Sequence, residues 1–323
     1  MNAGKERTPH EFELIARYFR RPSTDPAVLI GSGDDAALVQ PSDAVALSTD
    51  TLVAGVHFLE TIDPARLAEK ALAVNLSDMA AMGARPRWFT LALTLPQSEP
   101  GWLGRFSEGL HACAARFDVS LVGGDVTAGP LCISIHIAGE VSPEAALRRD
   151  GAAIGDSVFV TGTLGDAAAG LQIVRGESAE SADAQYLIDR YELPTPRVDA
   201  GIALRGIATA AIDVSDGLLA DLGHLCAASG CAARVAVEAL PLSQPLQRCF
   251  AQHAAREFAL FGGDDYELCF TAPRDADERI TVLLAPLGVS VTRIGECLEG
   301  SGVECRLAGE RYSVRERGYE HFS

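Results

Sequence analysis

One interruption limits the fold more than any other feature of this chain. Strand-like and helix-like segments alternate from Ala44 to Ala138; the chain then passes through Arg148–Asp156 (RRDGAAIGD), a polar connector containing glycine, and at Val158 the alternation starts again. Alternating segments build sheets covered by helices, and a restart after a polar linker makes two such bodies. We place the boundary near residue 150, giving domains 1–150 and 151–323, both of mixed α/β (α+β) class. The hydrophobic fraction of 48% and charged fraction of 22% supply an ordinary core for each. No repeat of fixed period and no low-complexity tract is visible.

Local signals place the elements. Thr8-Pro9-His10-Glu11 is a capping box, and Phe12, Ile15, Ala16 and Phe19 continue it as an amphipathic helix over 9–20. Asp63-Pro64 opens a second helix reaching about Met82. Strands are expected at 44–50, 87–96, 119–123 and 131–138, the last from the alternation of Leu131, Ile133, Ile135 and Ile137 with polar or small residues, and a helix at 100–116. In the second half, strands are expected at 158–162, 208–213, 233–239, 266–271 and 291–296, and helices at 166–175, 184–192, 196–207, 216–229 and 276–286.

Charge excludes several functions. Acidic residues outnumber basic ones 44 to 27, for a formal net charge of -17, which argues against a nucleic-acid partner. Lys5 and Lys70 are the only lysines, and neither follows a glycine run of the G-x-x-x-x-G-K-[ST] form, so a P-loop kinase is excluded. No G-x-S-x-G elbow occurs. No stretch has the roughly 18 apolar residues of a membrane helix, and the charged start of the chain has no apolar run of a signal peptide. Eight cysteines without a C-x-x-C pair are expected to stay reduced, as in the cytoplasm.

The informative acids stand in short uncharged contexts at element ends: Asp34 and Asp35 after Gly33, Asp50 after Ser48-Thr49, Asp78 after Asn75-Leu76-Ser77, Asp125 after Gly123-Gly124, and Asp213 and Asp216 around Val214-Ser215. Each alone reads equally as a turn or a cap. Asp78 continues the apolar stripe Leu67, Ala71, Val74, so helical spacing turns a carboxylate inward. A bound cation, an arginine, or a structural ion pair would each resolve that burial. Ser215 caps a helix whose free N–H groups suit phosphate, but carboxylates beside phosphate repel it by about 4 kcal/mol at 4 Å and an effective dielectric of 20. Mg²⁺, which prefers carboxylate and phosphate oxygens, removes the conflict. Several aspartates without lysine thus suggest a site that holds polyphosphate through metal ions. Gly162-Thr163-Leu164-Gly165 is read as a helix-start turn rather than a second phosphate loop.

The segments Ser48–Phe58 (STDTLVAGVHF), Lys70–Ala84, Gly123–Asp125, Ile212–Leu218, Gly262–Leu268 (GGDDYEL) and Gly318–Phe322 resemble, in order, the motifs of the bacterial thiamine-monophosphate kinases. That family belongs with aminoimidazole ribonucleotide synthetase and selenophosphate synthetase. The resemblance implies a two-domain aminoimidazole ribonucleotide synthetase-like fold, a homodimer formed through the N-terminal sheet, and transfer of the γ-phosphoryl group of ATP to thiamine monophosphate. By position it implies that Asp35, Ser48, Thr49, Asp50, Asp78, Asp125, Asp213 and Asp216 bind several Mg²⁺ ions. Gly124, Arg149 and Ser215 would contact ATP, with Phe117 where an aromatic stacks near the adenine; His57, Asp264 and Tyr319 would line the thiamine side. One departure is that Asp264 replaces the family's usual Glu in GGEDYEL.

The implied chemistry suits these residues. A phosphate monoester with a second pKa of about 6 is mostly dianionic at pH 7. It attacks without a general base, and in-line transfer needs chiefly neutralisation and alignment. Two rivals remain: a sibling synthetase, although a selenophosphate synthetase would carry an early cysteine and the first here is Cys113, and a non-catalytic metal-binding relative.

Overall fold

The computed structural model describes residues 11–176 and 181–312. The chain divides into two compact units, Met1–Asn75 with Pro86–Glu140, and Leu76–Arg85 with Val141–Ser323.

The first unit opens with α1 (Glu11–Leu14), prolonged by a wider π-type turn over Ile15–Phe19. Thr8, Pro9 and His10 of the expected capping box lie outside the described residues. β1 (Val28–Ile30) and β2 (Leu38–Val39) pair as a short antiparallel ribbon. There follow β3 (Val45–Val53), α2 (Pro64–Ala81, which passes into the second unit at Leu76), β4 (Arg85–Leu95), α3 (Pro100–Arg116), β5 (Ser120–Ala128) and β6 (Cys132–Glu140). The sheet order is β3-β6-β4-β5, with β3 and β6 antiparallel and β4 and β5 parallel. α2 starts where Asp63 accepts the Ala65 N–H at 2.8 Å, the expected cap. Ile133, Ile135 and Ile137 are buried, as their alternation requires. Along α3, Leu103, Phe106, Leu110 and Cys113 form one fully buried stripe; each large side chain contributes roughly 1.5–3 kcal/mol by leaving water.

The second unit comprises β7 (Ser157–Thr161), α4 (Asp166–Val174), α5 (Ala182–Glu192), α6 (Val198–Ala203), β8 (Ala210–Asp213), α7 (Leu218–Ser229), β9 (Ala232–Ala236), α8 (Gln244–Cys249), α9 (Gln252–Phe261), β10 (Leu268–Ala272), α10 (Asp277–Leu284), β11 (Val291–Leu298), β12 (Gly302–Leu307) and β13 (Glu310–Arg311). Its sheet runs β13-β12-β9-β11-β7-β10-β8, antiparallel except where β12 lies parallel to β9. β7, β8 and β10 are buried at every residue, which is why they read as continuous apolar runs instead of alternating ones. Phe159 and Phe270 stack at 5.3 Å on this sheet. All eight cysteines are free, and five of them, Cys226, Cys231, Cys269, Cys297 and Cys305, belong to the core of this unit. No helix of the described residues is long and apolar enough to cross a membrane.

Candidate active site

In the first unit a cleft of about 680 Å³ is lined by Arg20, Gly33, Asp34, Asp35, Gly124 and Asp125, among others. β5 shapes it. The β4–β5 register jumps from Phe89↔Leu121 to Thr90↔Gly123, so Val122 is bulged out and the Gly-Gly-Asp run is re-aimed. Gly124 has φ +151°, and a Cβ there would lie 2.0 Å from the Leu91 carbonyl oxygen, so no other residue fits. Asp35 donates its N–H to the Asp34 carboxylate at 2.9 Å, and both acids are exposed. The Arg20 guanidinium packs against Gly33, in the space a Cβ would need. Arg20 is a cleft residue that the sequence does not announce, because it belongs to no motif and follows an ordinary helix end.

β3 separates the residues of the Ser48-Thr49-Asp50 run. Strand alternation sends the Thr49 side chain to the exposed face, where its hydroxyl hydrogen-bonds His136 Nδ1 at 2.5 Å, away from Ser48 and Asp50. The Thr49 side chain, which the resemblance puts among the ion ligands with Ser48 and Asp50, thus lies on the opposite face of the strand from both. Asp50 donates its N–H to Asn75 Oδ1 at 3.1 Å, and Asn75 donates to the Ala71 carbonyl at 3.0 Å, so the asparagine pins the strand to α2. His57 accepts the Val53 N–H through Nδ1 at 3.0 Å, which puts the proton of the neutral ring on Nε2. Phe117 caps α3 under the Arg116 guanidinium, 5.2 Å from the ring centroid, and does not line the cleft. The structure gives no support to its expected place near an adenine.

In the second unit the acids are buried. α2 is covered on every side from Lys70 to Ser77, each residue being at most 2% exposed, while Asp78 is half-buried. The inward stripe expected from helical spacing thus ends in a carboxylate that is only half-buried, and the enclosed carboxylate is Asp213. Ser77 donates its hydroxyl to Asp213 Oδ2 at 2.7 Å. Burial, reinforced by the charge of Asp78, pushes the Asp213 carboxyl up to about 7.

The helix start after Asp213 holds a second correction. The N–H groups of Ser215, Asp216 and Gly217 are all donated to one oxygen of Asp221, at 2.9, 3.1 and 3.1 Å. The amides expected to be free for phosphate at this end of α7 are occupied from within. Burial and the neighbouring Asp216 push Asp221 up to about 7. The signal for Asp221 was present, an aspartate in the first turn after Asp213-Val214-Ser215-Asp216-Gly217, but it reads as ordinary helix polarity. Arg149 is exposed, with its carbonyl accepting the Ser229 hydroxyl at 2.8 Å.

The Gly262–Leu268 segment is tightly folded. Asp264 and Tyr266 have φ of +67° and +50°, and the Tyr266 hydroxyl donates to Asp264 Oδ1 at 3.2 Å. The expected start of β10 at residue 266 moves to Leu268 for this reason. Gly165 and Ala167, at the start of α4, give their N–H groups to Asp265, so the Gly162–Gly165 run is a helix-start turn, as expected. Tyr319 lies outside the described residues.

Among the described residues no group of three or more His, Cys, Asp or Glu is assembled as a metal cage. The expected ligands form two sets, Asp35, Asp50 and Asp125 in the first unit, and Asp78, Asp213 and Asp216 in the second. The second set fits a hard cation on its chemistry. Burial and the charge of Asp78 drive Asp213 towards protonation, and a divalent ion would relieve it.

Residues 33–141 match the family described as AIR synthase related protein, N-terminal domain, and residues 153–308 match its C-terminal domain. Fold and matches together define the class, a two-domain AIR-synthase-related protein. Thiamine-monophosphate kinase of Salmonella typhimurium is 50% identical over 319 residues, covering 97% of this chain and 98% of that one. The crystal structure of thiamine-monophosphate kinase from Stenotrophomonas maltophilia K279a superposes with a TM-score of 0.84 at 45% identity, covering 93% of this chain and 96% of the other. AaThiL complexed with AMPPCP and TMP gives 0.78 at 37%, covering 90% and 91%. The hydrogenase maturation protein HypE in complex with ATP, at 20% identity, TM-score 0.76 and 95% coverage of each chain, shares the fold. The chain belongs to the thiamine-monophosphate kinase family and is an enzyme.

Proposed function

We propose that this enzyme transfers the γ-phosphoryl group of ATP directly to thiamine monophosphate, yielding thiamine diphosphate and ADP. The observation that carries this reading is the cleft of the first unit, where Gly124, Asp35, Asp125 and Arg20 line one space of about 680 Å³. That volume suits a nucleotide, and a glycine that admits ligand close to backbone beside carboxylates and a guanidinium suits metal-bound polyphosphate. In the first unit Asp35, Asp50 and Asp125 would hold Mg²⁺, and in the second Asp78, Asp213 and Asp216. When bound, the ions would neutralise phosphate charge and align the reacting oxygens. Arg20 would place a positive charge at the phosphates. Asp264 and His57 would face the thiazolium and aminopyrimidine, Asp264 contributing the negative charge a permanent cation seeks. No residue need remove a proton, because the acceptor phosphate is already dianionic at neutral pH.

We also infer a homodimer. β3 is the edge of its sheet, and Val45 and Leu47 on it are 40% and 62% exposed, an apolar edge that invites a partner strand. Light scattering giving about twice 34.0 kDa would agree. Eight free cysteines suit a reducing compartment, which we read as the cytoplasm.

The test is one incubation with ATP and Mg²⁺, with thiamine monophosphate, thiamine or no acceptor, separated by chromatography. ADP and thiamine diphosphate should appear in equal amounts, and only with the monophosphate. Efficient phosphorylation of free thiamine would sink the mechanism.

A further inference from the structure

The turn bearing Asp264 is held by carboxylates that are fully buried and by two arginines that are mostly so. Asp264 and Tyr266 both adopt left-handed backbone, with Asp265 between them. For a residue with a side chain this conformation is unfavourable and persists only where the surroundings impose it. Gly263 packs so closely on the next segment that no side chain fits, since a Cβ there would lie 2.4 Å from the Ser215 carbonyl oxygen. Three backbone hydrogen bonds clip the turn to the 213–217 segment: Asp264 N–H to Ser215 O at 2.9 Å, Tyr266 N–H to Val214 O at 2.9 Å, and Val214 N–H to Glu267 O at 2.8 Å.

Behind the turn lies a closed network. Asp265, fully buried, accepts the Gly165 N–H at 2.6 Å and the Ala167 N–H at 3.2 Å. Arg190 donates to the Asp265 carbonyl at 3.3 Å and to Glu267 at 2.9 Å. Glu267, also fully buried, further receives Arg197 through two bonds of 2.6 Å and the Thr161 hydroxyl at 2.7 Å. Burial alone would raise Glu267, but Arg197 and Arg190 outweigh it and hold the carboxyl below its usual range. Ion pairs so enclosed are poor sources of stability, and fixing one conformation is their better-attested use.

We propose that Asp265 is a positioning residue for acceptor recognition: tied to the start of α4, it holds the left-handed turn so that the Asp264 carboxylate and Tyr266 hydroxyl meet the thiamine end as one rigid pair. This rests on the reading of Asp264 as an acceptor residue. Arg190 and Glu267 support the same turn from its other side.

Asp265→Asn keeps the shape but has one carbonyl oxygen where two backbone amides need acceptors. The KM for thiamine monophosphate should rise about tenfold, equivalent to 1.4 kcal/mol, while the KM for ATP and kcat stay within about threefold. A purely structural role would lower the melting temperature and shift both KM values together, and that pattern, or an unchanged acceptor KM, overturns the proposal. Hydrogen exchange gives a readout free of activity. In the wild-type protein the 264–266 amides should be protected as well as those of β10, and Asp265→Asn should speed their exchange. Wild-type amides exchanging like an exposed loop would overturn the clip even if no Asp265 variant folds. A wild-type enzyme with no turnover of thiamine monophosphate would fail the functional reading alone, leaving the exchange result to judge the turn.

Discussion

The two units treat their acids in opposite ways. In the first, Asp34, Asp35 and Asp125 stand exposed around a cleft, solvated at little cost whether or not an ion is present. In the second, Asp213, Asp221 and Asp265 are 4%, 3% and 0% exposed and must be satisfied by the protein. Asp221 receives three backbone amides and Asp265 two, whereas Asp213 has the Ser77 hydroxyl and its own backbone N–H, with Asp78 pressing on it. Burial by itself therefore does not mark an ion site. Asp221 and Asp265 each take amides from a helix start, whereas Asp213 takes none and faces the charge of Asp78, and that contrast makes Asp213 the one to test as an ion ligand.

The comparison breaks first at these carboxylates. Asp213→Asn should lower kcat/KM by at least about a thousandfold, the loss of several kcal/mol of charge stabilisation, with no fall in melting temperature without metal. Asp125→Asn, which removes one exposed acid among several, should cost about 10- to 100-fold. Steady-state assays at saturating Mg²⁺ check both. Equal losses would mean that the difference in burial carries no functional weight.

In the sequence these acids look alike, each an aspartate beside small residues. The fold class, the elements from β3 to β6, and the cap at Asp63 depend on local chemistry and are legible in the sequence. α8 is not legible although Ser243-Gln244-Pro245 is a capping signal, because a six-residue helix leaves no periodicity to read. What separated Asp213 from Asp221 is which donors the tertiary fold brings to each, and no local pattern encodes that. The family resemblance places Thr49 beside Asp50 as a ligand, and strand alternation turns its side chain to the other face. Arg20 reaches the cleft through the packing of its helix, which motif reading does not see.

The second test sets Asp78 against Asp213 through pH. A carboxyl raised to about 7 keeps its proton in the folded state long after the unfolded chain has lost it near 3.8. Its contribution to stability is therefore present in acid and is lost as pH rises through about 7. Asp78 repels Asp213 only when Asp213 is ionised. Without divalent ions, Asp78→Asn should leave the melting temperature near pH 5 about unchanged and raise it by a few degrees near pH 8. Mg²⁺ should stabilise the wild type at about pH 8 and do so much less for the variant. Equal melting curves at both pH values would show that the two carboxylates do not interact in solution.

The smallest effects fall within the first unit, where cleft residues differ from residues merely near them in sequence. Arg20 lines the cleft and packs on Gly33 beside Asp34 and Asp35, so Arg20→Ala removes a positive charge where phosphates are expected. The side chain is exposed and its interaction screened, which limits the effect to roughly 1 kcal/mol, or about a fivefold rise in the KM for ATP. Phe117 does not line the cleft and lies under the Arg116 guanidinium. Phe117→Ala should therefore leave the KM for ATP within about twofold while lowering the melting temperature slightly, through the lost cap contact and cation–π pair. Measuring ATP KM for both variants at fixed thiamine monophosphate orders them. A larger rise for Phe117→Ala than for Arg20→Ala would restore the aromatic to the nucleotide and remove the guanidinium from it.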